Sequence, residues 1–159
     1  METKKEILEE LESRFEEFKK KSKLSISLKD LDEVFRIKDY ILRERFVSEK
    51  ISRQISTAIS DIFLGNLSYL HGLIMPNPQN MLGLAESKIF EKDEKQGIYD
   101  IMAEIVELLS KNHLNSFDYS ESEEGRFISS SFEFWEKKLK IKMKHVLKKV
   151  NEYWRQKKE

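Results

Sequence analysis

Apolar residues recur at spacings of three and four along most of the chain, which is the pattern of one buried face on an α-helix. The first example predicts a helix over residues 3–22, with an apolar face formed by Ile7, Leu8, Leu11, Phe15 and Phe18. Ser27, with Asp30 three residues later, has the form of a capping box and predicts the start of a second helix.

Residues 28–74 contain a change of apolar face. The apolar positions before Ser48 share one side of a helix, and those after it lie on nearly the opposite side. Either the helix breaks there, with Ser48 as a new N-cap, or one long helix changes packing partners; the pattern favours the break. The two sets are Leu28, Leu31, Phe35, Leu42 and Phe46, and then Ile51, Ile55, Ala58, Ile62, Tyr69 and Leu73.

Two prolines, Pro76 and Pro78, mark the clearest interruption of the pattern. Asn77 is placed to cap a short helix whose first residue is Pro78, where the missing N–H is not needed. This helix is expected to run to about Phe90.

A further helix is predicted from Asp93 and Gln96, which again have the spacing of a capping box. Its apolar period ends near Lys111. Residues 112–124 are rich in Asn, Ser and Glu and have no period, so they are predicted to form a mobile loop.

The last segment allows two interpretations, because Lys138 to Lys144 alternates between Lys and apolar residues like a half-buried strand. A helical period covers a longer window and favours one helix over residues 122–157. The sequence therefore predicts an all-α fold: a single helical domain, residues 1–159, forming a bundle of five or six helices with a long C-terminal helix. The period is carried by Phe132, Trp135, Leu139, Met143, Val146, Val150 and Tyr153.

Composition supports the helical prediction, since 159 residues include only five Gly and two Pro. The absence of Cys excludes disulfides, thiolate metal sites and Cys nucleophiles. No apolar run approaches the ~18 to 20 residues of a membrane span, and residues 1–12, METKKEILEELE, lack the apolar stretch of a signal peptide. We expect a cytoplasmic protein with no membrane partner.

Charge is unevenly distributed although the net charge is zero. Residues 86–124 have a net charge of −7 and residues 125–159 a net charge of +7. The acidic segment is expected to pack alongside the basic helix, which would cancel much of its field. Alternatively, a basic strip binds nucleic acid or an acidic partner, although the neutral pI predicts weak nucleic-acid binding at most. The strip consists of Lys137, Lys144, Lys148 and Arg155.

A second apolar stripe runs along the last helix, on the side away from Phe132 to Tyr153. Its members, Phe127, Phe134 and Ile141, are seven residues apart. Two opposite stripes need two covering surfaces, so the second is covered either by another helix of the same chain or by a second chain. The stripe is therefore a candidate partner or homo-oligomer interface.

Motifs for chemistry are largely missing. The three His lie far apart without HExxH or ExxH, and neither GxxxxGK nor GxGxxG occurs, so no catalytic, cofactor or metal site is predicted. Acidic helices hold magnesium in MazG-type nucleotide pyrophosphohydrolases, but the ExxE followed by ExxD of that family is not reproduced in order. The acidic candidates are Glu6, Glu9, Glu86, Asp100, Glu104 and Glu107, while Ser52, Ser56 and Ser60 form a ridge suited to close helix packing.

Tyr40-Ile-Leu-Arg-Glu-Arg45, a long helix, Gly72-Leu-Ile-Met-Pro-Asn77 and an amphipathic helix over residues 94–109 occur in that order. This arrangement, over roughly 70 residues, resembles the helical domain of GINS replication subunits. The resemblance implies a helical component of a nucleic-acid-processing assembly. GINS subunits also carry a small β domain, which this chain supplies only if the alternation between Phe127 and Val146 forms strands.

Three functions remain in order of preference. The first is a non-enzymatic interaction subunit or adaptor that acts through protein contacts of its last helix. The second is a component of a GINS-like, nucleic-acid-processing assembly that uses the basic strip. The third is a nucleotide hydrolase with an acidic site.

Overall fold

The structure is a computed structural model that describes residues 1–158. It is all-helical, with 81% of residues in helices, and residues 1–158 contain no strand. The predicted all-α bundle with a long C-terminal helix is confirmed, with seven helices in place of five or six. Their bounds are α1 Lys4–Ser22, α2 Leu28–Phe35, α3 Ile37–Glu44, α4 Ile51–Ile74, α5 Met81–Ser87, α6 Lys92–Phe117 and α7 over residues 121–156.

Side-chain caps determine where the first helices begin. The Thr3 hydroxyl accepts a hydrogen bond from the Glu6 N–H at 3.2 Å, and the Glu6 carboxylate accepts one from the Thr3 N–H at 2.8 Å, which completes a capping box. Ser27 caps α2 as predicted, because its hydroxyl accepts from the Asp30 N–H at 3.1 Å. Each cap satisfies an N–H group that has no partner within its own helix.

Residues 28–74 are interrupted twice. The predicted break near Ser48 is confirmed: α3 ends at Glu44, α4 begins at Ile51, and the Ser48 hydroxyl accepts a hydrogen bond from the Lys50 N–H at 3.1 Å. The break between α2 and α3 was not predicted. It occurs at Arg36, whose φ of 54° lies in the left-handed region.

Left-handed residues end all three of the first helices: Lys23 after α1, Arg36 after α2 and Arg45 after α3, with φ values of 59°, 54° and 66°. Each donates its backbone N–H to the carbonyl four residues earlier, so the last turn is closed. Glycine is the usual residue at such positions, and because Arg36 is not glycine, the end of α2 has no such signal in the sequence.

The predicted helix from Pro78 to Phe90 is wrong in its position. Asn80, not Asn77, caps α5, because its side chain accepts from the Gly83 N–H at 3.0 Å. The Asn77 side chain instead accepts from the Gln79 N–H within the preceding turn. Because the cap lies three residues later than predicted, α5 starts at Met81, and it ends at Ser87.

The predicted loop at residues 112–124 is also corrected. Helix α6 begins at Lys92, where the Glu94 carboxylate accepts from the Glu91 N–H, and it continues to Phe117. Helix α7 begins at Glu121, so only residues 118–120 separate the two helices. The error arose because Asn112 and Asn115 are buried polar residues of α6, and a buried polar residue is invisible to apolar periodicity.

The chain forms two compact units. The first consists of Met1–Ile62 and Leu108–Phe132, and the second of Phe63–Glu107 and Glu133–Glu159. The single-domain interpretation stays a prediction. The fully buried side chains of the first unit include Leu11, Phe15, Leu31, Phe35, Ile41, Ile55 and Phe127, and those of the second include Phe63, Leu70, Ile105 and Leu139.

No helix within residues 1–158 combines the length and the apolar character that crossing a bilayer requires.

Helix α7 is 36 residues long and runs without interruption, so the helical interpretation of the last segment is confirmed over the strand interpretation. It consists of α-helical Glu121–Phe134, one π-helical turn Trp135–Leu139 and α-helical Lys140–Gln156. The π turn is closed by the Lys140 N–H, which donates to the Trp135 carbonyl five residues earlier.

Candidate interaction surface and buried polar cluster

The π turn changes which residues of α7 face the core. Before it, the buried face includes Phe127 and Phe134; after it, the buried face resumes at Leu139, a step of five residues. A π turn holds one residue more than an α turn, so it rotates the following helix by about 100° relative to an unbroken α-helix. One buried face of α7 is therefore formed by members of both predicted stripes: Phe127 and Phe134 of one, and Leu139, Met143, Val146 and Val150 of the other.

This rotation corrects the predicted partner stripe. Phe127 is 0% exposed, Phe134 is 8% exposed, and Ile141 is 62% exposed. The Phe134 ring packs edge-on against Phe63 with centroids 5.8 Å apart, so it belongs to the core of the second unit. Of the three predicted residues, Ile141 alone is exposed and so remains available to another chain.

All four residues of the predicted basic strip are exposed on α7. Lys137 donates to Glu133 at 2.7 Å, which lowers the pKa of that carboxyl, and Arg155 lies 3.6 Å from Glu152. Both of these partners are on α7 itself.

Lys144 and Lys148 have no ion pair with any residue that the structure describes. They follow Ile141 by three and seven residues, so all three lie on one side of the helix. We call Ile141, Lys144 and Lys148 the basic-apolar face.

Other lysines of α7 pair with the acidic helix α6, as the charge distribution predicted. Lys138 donates to Glu104 at 3.0 Å, and Lys149 donates to Glu94. The hydrogen bond from Lys149, followed by one from the Glu91 N–H, holds the pKa of Glu94 below its usual value. These contacts within the second unit use lysines that do not belong to the basic-apolar face.

A buried polar cluster connects α4, α6 and α7 within the first unit. At its centre is Glu124, which is 0% exposed. Arg53 Nη1 donates to Glu124 Oε1 at 2.7 Å and to Asn112 Oδ1 at 2.8 Å. Ser56 donates to Glu124 Oε2 at 2.8 Å, and the Asn112 amide donates to Ser60 Oγ at 2.7 Å. We call these five residues the Arg53–Glu124 cluster.

The cluster fixes helices relative to one another. Both carboxylate oxygens of Glu124 accept a hydrogen bond from α4, and Asn112 of α6 is held at both ends of its amide. A buried charge with a paired countercharge and occupied oxygens is compatible with burial, whereas the same charge alone is strongly destabilising. Glu124 is therefore engaged in holding three helices together.

Sequence reasoning found part of this cluster. Ser52, Ser56 and Ser60 were predicted to pack closely, and all three are buried. The sequence does not predict their additional role as hydrogen-bond partners, because it predicts a loop over residues 112–124, which include Asn112 and Glu124. The signal in the sequence was the repeat of Ser at every fourth position beside Arg53.

Three of the acidic residues considered for a hydrolase each have a different partner in the structure. Glu6 caps α1, Glu104 pairs with Lys138, and Glu86 accepts from the Trp154 indole N–H at 2.9 Å. Within residues 1–158, no group of three or more His, Asp or Glu side chains is arranged to share a metal ion.

Comparison of the chain with protein-family models, with curated proteins and with solved structures finds no match. The strands that a GINS-like β domain would require between Phe127 and Val146 are absent, because all of these residues are helical. The basic-apolar face and the Arg53–Glu124 cluster are thus the features from which a function can be argued.

Proposed function

We propose that the protein is a non-enzymatic interaction subunit or adaptor that binds an acidic protein surface through the basic-apolar face of α7. The observation that carries this proposal is Ile141, a large apolar side chain left 62% exposed beside two lysines without ion-pair partners. Protein interfaces commonly have an apolar centre and a charged rim, and this face has both. Lys137 and Arg155 extend the rim, since both are exposed on the same helix.

A binding role is proposed over catalysis because the buried carboxylate of Glu124 is already occupied. Its two oxygens accept from Arg53 and Ser56, so it is not placed to exchange a proton with a substrate.

Site-specific cross-linking tests the proposal. A benzophenone amino acid replaces Ile141, and in a matched control it replaces Lys29, which is exposed on α2. After irradiation in the native cell, we expect a discrete protein adduct from position 141 only, and we expect it to disappear when Lys144 and Lys148 are changed to Glu. Equal labelling from both positions would refute a binding role for this face.

A second candidate function is nucleic-acid binding, which is favoured by the two lysines that lack acidic partners. Its test is fluorescence anisotropy with labelled single- and double-stranded oligonucleotides, using the parent and a variant in which all four residues of the basic strip are changed to Glu. We expect weak binding that is lost near ~0.15 M salt, because few phosphates are contacted and their counterions compete. Tight binding by the parent at that salt, abolished in the variant, would make this the better function. The four residues are Lys137, Lys144, Lys148 and Arg155.

A further inference from the structure

The second unit carries another exposed face of opposite charge, on α6. Tyr99 is 58% exposed and Val106 is 48% exposed, and the exposed carboxylates Asp100 and Glu107 follow them directly in sequence. Each pair is separated by seven residues, or about 10.5 Å along a helix, so an apolar row lies next to an acidic row. We call these four residues the acidic-apolar face.

The carboxylates of this face are available for a partner. Asp100 accepts a hydrogen bond from the neutral Gln96 amide on the same helix, and Glu107 has no ion pair with a residue of the described chain. Glu104, which pairs with Lys138 of α7, lies within one turn of Asp100 and Glu107 on the same side of α6, but Asp100 and Glu107 are themselves exposed. The contact within the chain therefore leaves the acidic-apolar face uncovered.

The two faces match in chemistry. The basic-apolar face presents one large apolar side chain beside two unpaired lysines, and the acidic-apolar face presents two apolar side chains beside two carboxylates. Moreover, α6 and α7 already meet through Lys-Glu pairs within the chain, at Glu104–Lys138 and Glu94–Lys149. These pairs show that the two helices can lie side by side with opposite charges in contact.

We propose that a second copy of the chain is the partner, and that its acidic-apolar face binds the basic-apolar face of the first. This inference rests on the proposed function and names the partner for that surface. The contact joins two different surfaces, so each copy offers one face of each kind. A contact between two helix faces is smaller than a standard protein interface, and we expect weak, salt-sensitive self-association.

Charge reversal tests the pairing directly. One variant carries Lys144→Glu and Lys148→Glu, and the other carries Asp100→Lys and Glu107→Lys. Each variant alone has two faces of like charge, so we expect its self-association to weaken by about tenfold or more. In an equimolar mixture, both contacts between unlike chains join faces of opposite charge, and we expect the mixture to associate as well as the parent.

Sedimentation velocity measures the self-association of the parent, of each variant and of the mixture, from about 10 to about 500 μM protein, at about 50 and about 500 mM salt. A control chain with Lys20→Glu and Lys29→Glu has the same change in net charge as the variant with Lys144→Glu and Lys148→Glu, but it alters exposed residues of the first unit. We expect it to behave like the parent. Circular dichroism establishes that each variant is folded; if the α6 variant is not, Tyr99→Ser replaces it and is expected to weaken association in the same way.

Three results would overturn the inference: a parent that stays monomeric over the whole range, a mixture that fails to associate although both variants are folded, or a control as impaired as the variants. The cross-link from position 141 distinguishes failure of the inferred self-association from failure of the proposed function. An adduct with a different protein, together with a monomeric parent, refutes the second copy as partner and leaves the binding face intact. No adduct and a monomeric parent refute both.

Discussion

Arg53→Met is expected to destabilise the protein strongly, because it removes the countercharge of a fully buried carboxylate. Arg53 donates to Glu124 at 2.7 Å and to Asn112 at 2.8 Å, so the substitution leaves both acceptors short of a partner. Breaking a buried ion pair from one side costs about 3–5 kcal/mol. Since the Arg53 side chain is 23% exposed, we expect a loss near the lower end, about 3 kcal/mol.

Urea denaturation followed by circular dichroism measures this loss. With a denaturant dependence of about 2 kcal/mol per molar urea, the midpoint should fall by about 1.5 M. The matched control is Arg126→Met on α7. Arg126 also lies 2.7 Å from a glutamate, Glu123, but its side chain is 67% exposed. An exposed pair contributes about 0.2–1 kcal/mol, so the control midpoint should move by about 0.5 M at most.

A double variant, Arg53→Met with Glu124→Met, distinguishes the loss of the pair from the loss of packing. Replacing both buried charges by apolar groups is often neutral, so we expect the double variant to be more stable than Arg53→Met alone, by about 2 kcal/mol. The reasoning is refuted if Arg53→Met unfolds at the same urea concentration as Arg126→Met. It is also refuted if adding Glu124→Met restores no stability.

Three further predictions concern the second unit. Phe134→Ala should lower the free energy of unfolding by about 3–5 kcal/mol, because it opens a cavity in the core, and an unchanged urea midpoint would contradict the burial of this ring. Deleting Lys137 from the π turn should leave helical content and the thermal midpoint nearly unchanged, because the remaining residues can form an ordinary α turn with the same faces buried. Deleting Lys144 instead should unfold the end of α7, because it rotates the following core residues by about 100°; equal effects of the two deletions would count against the register argument. Glu94→Gln should reduce stability at neutral pH only. The pKa of Glu94 is lowered in the folded state by Lys149, so its contribution is present above the unfolded value of about 4.3 and is lost as the pH falls through the folded value. Urea midpoints of parent and variant between about pH 7 and pH 3 check this, and a difference that does not change with pH would oppose it.

Sequence reasoning succeeded where a local signal was sufficient. Ser27 lies three residues before Asp30, so its hydroxyl can accept a hydrogen bond from the Asp30 N–H, and the structure contains that hydrogen bond. Apolar periodicity likewise identified α1, the start of a new helix after Ser48 and the helical nature of α7. These features depend on residues within one or two turns of one another.

Register along α7 could not be predicted in the same way. Projection at 100° per residue assumes that every turn holds the same number of residues. The single extra residue in Trp135–Leu139 invalidates that assumption. It rotates the residues that follow it relative to those before it, so that Phe134 lies on the same buried face as Leu139. The sequence did contain a hint, because a five-residue step from Phe134 to Leu139 connects the buried members of the two stripes.

The Arg53–Glu124 cluster was missed for a different reason. Its members are polar, and burial of polar residues is made possible by partners that lie far away in sequence. Ser56 and Glu124 are 68 residues apart, so neither residue indicates that the other is near. Polar composition therefore suggested a loop where the structure has the end of one helix and the start of another.

The left-handed residues at the ends of α1, α2 and α3 have a consequence for the adaptability of the chain. An L-residue in this conformation costs about 1–2 kcal/mol, and glycine avoids that penalty although it gives the unfolded chain more freedom. Lys23, Arg36 and Arg45 place cations near the carboxyl ends of helices, where the helix dipole favours them. The first 45 residues thus contain three exposed positions at which a single mutation to glycine can raise thermal stability without altering the core. Destabilising changes elsewhere in the protein can be compensated there during evolution or engineering.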